Sequence, residues 1–176
     1  KRWWIEHLRP YSSKVICIVD GNHEYNRASR DADSFPLYDI ALALGIEDRY
    51  RSEAAFVDIG VGNGGHGKGK QVHYVIRVCH QAKNNVNHGT ADGFEGIDVF
   101  VSGHTHKPMD KPLGKLVYDT KNKSVTHKDV ENIVCGHFLR YGGYGERAGY
   151  RPTSQNIYSL ILSGKKKNIE TIGFHL

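Results

Sequence analysis

Eleven histidines are many for a chain of 176 residues, and several stand beside glycine. Three places gather groups able to hold metal or phosphate. The stretch IVDGNHEY, residues 18–25, runs from an apolar segment into Asn22, His23 and Glu24. His80 closes the segment 72–79, and GHTH at 103–106 follows the apolar segment 97–102. Imidazole nitrogen and amide oxygen suit Zn, Mn or Fe(II). In extended chain, residues i and i+2 point the same way, so His104 and His106 can reach two adjacent ions. Gly103 lets the backbone turn sharply where its strand ends. Each group has an ordinary alternative: a strand-end histidine is usually a satisfied surface group, and Asn22 beside Gly21 is a turn pair. Taken together they form a candidate metal centre. Asn22, His80 and His104 are expected to converge on one metal-sized point, with His106 beside them.

Strand ends on one rim of a sheet would bring these groups together. Residues 15–19 read as a short strand buried on both faces. Residues 55–61 and 72–79 read as strands; in the second, Val72, Tyr74, Ile76 and Val78 face one way and His73, Val75, Arg77 and Cys79 the other. Residues 97–102 make another apolar strand, followed by short strands at 115–120, 124–126, 132–135, 158–162 and 169–174. Residues 2–8 read as the end of an amphipathic helix stopped by Pro10. Residues 35–44 have helical spacing, with Gly45 as C-cap and Asp31 and Asp33 as N-capping groups. No internal repeat or Pro- or Ser-rich linker divides the chain. The expectation is one domain over 1–176, strand-rich α/β (α+β) with one or two helices and two sheets packed face to face.

Composition sets the outer bounds. A hydrophobic fraction of 39% and an aromatic fraction of 10% suit a globular protein and argue against disorder. No apolar run reaches membrane-spanning length, and Lys1-Arg2-Trp3-Trp4 does not open a signal peptide. Cys17, Cys79 and Cys135 are widely separated and each lies in an apolar run, pointing to reduced, buried thiols in a cytoplasmic protein. The net charge of +5 permits phosphate-rich partners without requiring them, and Lys165-Lys166-Lys167 reads as a solvated turn. The glycine-rich run at 60–71 nearly matches a P-loop. Gly69 stands where Ser or Thr is needed, however, and an alternating strand follows where a helix is needed. It reads as a hairpin connection, with His66 an exposed turn residue.

GNHE at 21–24, His80 and GHTH at 103–106 resemble the last three of five motifs of the calcineurin-like metallophosphoesterases. The approaches resemble that family too: VICIVDGNHEY the strand into the third motif, DVFVSGHTHKP the strand into the fifth. Residues 131–152 are similar to a segment of phage and bacterial members. His88, followed by Gly89 as the family often has it, ranks second to His80 because it falls in a loop. The resemblance implies a two-sheet sandwich flanked by helices and a site with two divalent metals (Mn, Fe or Zn). Asn22, His80 and His104 would hold one metal, and His106 would contribute to the other. The pair would activate a water for in-line attack on phosphorus in a phosphate mono- or diester, nucleotides and nucleic acids included. His23 would meet phosphate oxygens or protonate the leaving group. Glu24 would orient His23 or a ligand. Arg27, Arg30 and Lys107 could touch phosphate.

The family opens with D-x-H and G-D-x-x-D strand ends, and this sequence contains neither. The expectation is therefore the C-terminal portion of such a domain, its N-terminal strands missing. It would bind at most one metal well, hydrolyse aryl phosphate poorly on its own and self-associate through uncovered sheet. Asp20 is expected to face neighbouring backbone rather than a metal. Two other readings stand beside this one: a non-catalytic His-rich metal- or nucleic-acid-binding module, and a small zinc-stabilised domain using His80, His104 and His106.

Overall fold

The computed structural model describes residues 1–24, 34–62, 69–80, 94–138, 142–149 and 151–176. It is a mixed α+β fold, mostly strand, with a curled mixed sheet and few helices.

Helix α1, Arg2–Leu8, passes at Pro10 into a 3-10 segment, Arg9–Lys14. Strand β1, Ile18–Val19, pairs in parallel with β2, Tyr50–Arg51. Between them lies α2, Pro36–Leu44, ended by Gly45 in the left-handed conformation expected of a C-cap (φ 68°). The N-cap is Phe35, with no side-chain cap bond; Asp31 and Asp33 lie outside the described residues. Ile40, Ala41, Leu44 and Ile46 form a local core on which Ile5, Leu8, Val15 and Ile18 pack.

The strand expected over 15–19 is shorter than its apolar run and is not buried on both faces. Only Ile18 and Val19 join a ladder, and Ile16 is 58% exposed because a two-residue pairing covers one side alone.

The main sheet runs β3 (Ala54–Val61), β4 (Val72–Cys79), β5 (Val99–Ser102), β8 (Ser124–Val134), β6 (Met109–Asp110), with β7 (Leu113–Asp119) also paired to β8. β3 and β4 form an antiparallel hairpin, so the glycine run joins two strands and β4 follows it instead of a helix. Residues 63–68, with His66, lie outside the described residues. β4, β5 and β8 are mutually parallel, which sends their C-terminal ends to one rim. The segments 124–126 and 132–135 turn out to be two ends of the single strand β8. Of the polar residues between them, His127, Lys128 and Asp129 lie on its ribbon with β7, and Lys128 Nζ reaches the Asp98 carboxylate at 3.1 Å.

The alternation read in β4 holds. Ile76 and Val78 enter one apolar layer with Val57, Val99, Val101 and Ile133, whereas Val75 enters the other with Ile97, Phe100 and Val130. The first layer is roofed by a hairpin of β9 (Asn156–Leu162) and β10 (Ile169–His175), through Tyr158, Leu160 and Ile169. The expected mixed α+β, strand-rich class is present as a six-stranded sheet, a two-stranded roof over one of its faces and the separate β1–β2 pair.

Tyr74, fully buried, locks that roof. Its hydroxyl lies 2.7 Å from Ser163 O, 3.2 Å from Lys166 O and 3.1 Å from Asn168 O, and accepts from Asn168 N–H at 3.0 Å. Gly62 and Gly164 meet backbone to backbone: a Cβ on Gly62 would stand 2.9 Å from Gly164 O. Lys165-Lys166-Lys167 is the turn expected, though not simply solvated, because Lys167 Nζ reaches the buried Asp98 carboxylate at 2.7 Å.

The three cysteines are free and half-buried rather than fully buried; burial pushes the Cys17 and Cys135 thiols up. Among the described residues, no helix is long and apolar enough to cross a membrane.

Candidate metal centre

Three chain segments build the rim. After β1 the backbone turns at Gly21 and becomes helical at Asn22 and His23. His80 leaves β4, and Gly103-His104 leaves β5, the parallel neighbour of β4. The His80 ring lies against both glycines at ordinary contact distance. A Cβ on Gly21 would lie 3.5 Å from its Cε1, and one on Gly103 3.4 Å from its Nδ1.

The donor atoms close into a triangle. His80 Nε2 lies 2.8 Å from Asn22 Oδ1 and 3.1 Å from His104 Nδ1, and His104 Nδ1 lies 3.1 Å from Asn22 Oδ1. The expected convergence of Asn22, His80 and His104 is present. An imidazole nitrogen either donates or accepts, never both. Whichever tautomers are chosen, one edge of the triangle sets donor against donor or acceptor against acceptor.

A cation held by these three atoms would remove the conflict, since none of them would then need a proton from another. Donors about 2.1 Å from an ion and at right angles stand about 3.0 Å apart. The observed edges of 2.8 Å, 3.1 Å and 3.1 Å bring two imidazole nitrogens and an amide oxygen as close as ligands of one divalent ion would be, and this donor set suits Mn²⁺, Fe²⁺ or Zn²⁺. Among the described residues no group of three or more His, Cys, Asp or Glu side chains is placed to hold a metal. This triangle has two histidines, and its third donor is an amide.

Burial and neighbouring charges act on two of the rim imidazoles. Burial, followed by the imidazoles of His104, His106 and His23, holds His80 below the ordinary imidazole range, with Glu24 opposing. Burial, then His137, His104 and His23, does the same to His106. Neutral imidazole is the ligating form.

His23 is exposed and close enough for its charge to act on both rings. Glu24 sits over Gly21, where its Oε2 would be 2.6 Å from an added Cβ, and its charge reaches His80 and Asp20. His106 stands next to the triangle rather than in it, its ring 5.0 Å from that of His137. Lys107 is exposed. Arg27, Arg30 and His88 lie outside the described residues. Asp20 is buried but accepts from the Tyr50 hydroxyl at 2.5 Å, a side-chain partner where backbone was expected. Burial raises its carboxyl, against that hydrogen bond and with help from Glu24.

Sequence reasoning passed over His137. It leaves β8 on the same rim, through Val134-Cys135-Gly136-His137, the pattern by which Val101-Ser102-Gly103-His104 leaves β5. That repeated strand-Gly-His exit was the available signal. Comparison with family models, curated proteins and solved structures finds no match to this chain.

Proposed function

We propose that this chain carries part of the active site of a metal-dependent phosphoesterase of the calcineurin-like kind, acting on phosphate mono- or diesters. The observation that supports it is the triangle of Asn22 Oδ1, His80 Nε2 and His104 Nδ1, whose three edges no arrangement of protons satisfies. Its order along the chain, amide–imidazole after one strand and imidazoles after two others, is the order of the family's last three motifs.

Asn22, His80 and His104 would hold the cation. Bound there, a divalent ion supplies Lewis acidity toward a phosphoryl oxygen and a water. His23, exposed beside the triangle, is placed to hold a proton for the leaving group or to donate to phosphate oxygens. Glu24, lying against Gly21, would orient His23 or a ligand. The three donors are formally neutral, so a second dication nearby would need carboxylates from outside this set. The chain by itself is therefore assigned one cation and slow turnover.

Titration with Mn²⁺, read by calorimetry, tests the assignment. One equivalent should bind to the chain and none to His104→Ala. Slow aryl phosphate turnover should require Mn²⁺ and fall further in His23→Ala. Failure to bind Mn²⁺, or binding that survives both Asn22→Ala and His104→Ala, overturns it. Tight stoichiometric zinc with no turnover would establish the zinc-stabilised module instead.

A further inference from the structure

β5 and β8 leave the sheet side by side, tied where Cys135 N–H donates to Ser102 O at 2.7 Å. From one exit come His104 and His106, from the other His137. Both His104 (φ 80°) and His106 (φ 57°) adopt left-handed backbone. That conformation costs a residue bearing a Cβ about 1–2 kcal/mol and persists where surrounding structure over-determines it.

For His106 the surroundings include the His137 ring, tilted 45° at a centroid distance of 5.0 Å. His137 is fixed in turn. Its Nε2 lies 2.7 Å from Thr153 Oγ1. One residue earlier, Gly136 brings the backbone against the segment leading into β9, where an added Cβ would stand 2.8 Å from Asn156 N and 2.9 Å from Ser154 O. No side chain fits there, so residues 136 and 137 are clamped against 153–156.

We propose that His137, oriented by Thr153, is a positioning residue that fixes the His106 imidazole on the rim, so that the segment before β9 belongs to the support of the site. The role rests on the reading of His106 as a site residue. The mechanical coupling from Thr153 through His137 to His106 is stated for the chain with or without metal.

Long-range proton–nitrogen NMR of the imidazoles in the whole chain tests it. Thr153→Val removes one hydroxyl that meets His137, so a change at His106 that spares His80 reports transmission through the intervening ring. In Thr153→Val the His106 ring signals should move while those of His80 stay within a linewidth. His137→Ala should move them further, and His137→Gln, whose amide can still reach Thr153, should restore part of the shift. With Mn²⁺ and an aryl phosphate, Thr153→Val should lower kcat about tenfold at nearly constant KM. His106 signals unmoved in both Thr153→Val and His137→Ala overturn the proposal, as does a His80 shift as large as that of His106, which would report general loosening. A wild-type chain with no turnover counts against the phosphoesterase reading alone, and the NMR arm still decides the coupling.

Discussion

The two ends of β5 handle polar groups in opposite ways. Just before its first residue, the Asp98 carboxylate is buried yet compensated. Val75 N–H donates to Oδ2 at 2.9 Å, Lys167 Nζ lies 2.7 Å from Oδ2, and Lys128 Nζ makes an ionic contact with Oδ1 at 3.1 Å without hydrogen-bond alignment. Beyond its last residue, His104 joins a triangle whose proton demands cannot all be met. Both ends gather partners from several chain segments: at Asp98 they are two cations and an amide N–H, at His104 an amide oxygen and a second imidazole. A polar cluster that is complete serves the fold. One whose proton demands conflict is open to a ligand from outside, and Mn²⁺ titration decides whether that ligand is a cation.

Breaking Asp98 should have the largest effect. Asp98→Ala strands the Val75 amide and unpairs two lysines, and should lower unfolding free energy by about 2–4 kcal/mol in urea titrations. His104→Ala should do the reverse. It should lower Mn²⁺ affinity about a hundredfold or more while changing metal-free stability by less than about 1 kcal/mol, because it also relieves the crowded triangle. Equal destabilisation by the two variants would abolish the distinction.

Acid titration sharpens it. Burial alone would raise the Asp98 carboxyl, but Lys167, the Val75 amide and Lys128 outweigh burial and hold it below the usual range. With the folded value depressed, the unfolded chain binds the proton first. The contribution of Asp98 is therefore complete above the unfolded value near 4 and is lost as pH falls through the folded one. In Asp98→Asn the urea midpoint should lose that part of its fall. Lys167→Ala should be milder than Asp98→Ala, about 1–2 kcal/mol, since its side chain is half exposed but its loss leaves the buried carboxylate with only Lys128 and the Val75 amide.

Sequence pattern revealed what repeats locally. The period of two in β4 placed its faces correctly, and Gly45 marked the end of α2, because each depends on near neighbours. The donor triangle was legible because its members follow strands whose apolar runs are plain in the sequence. Asp98 was not, since one charge inside an apolar run does not announce partners 30 and 69 residues away. The length of β8 was hidden by the polar run THKDVE, which reads as loop until pairing with β7 is known. Residues 15–19 misled for the converse reason: apolar side chains permit burial, but a neighbouring strand must supply it. His137 shares the exit pattern of His104, yet its importance lies in a ring contact and a threonine 16 residues away.

The Tyr74 hydroxyl ties β4 to a turn 89 to 94 residues further along the chain. The roof hairpin, with its tight local pairing, can form within microseconds once made. It cannot dock before it exists, and a ribosome adds about 5–20 residues per second. Roughly 5–20 s therefore separate the emergence of Tyr74 from that of its turn. Throughout that interval Val57, Ile59, Ile76, Val78, Val99 and Val101 have no roof, so the nascent chain's most aggregation-prone period is set by the distance between one tyrosine and one run of lysines.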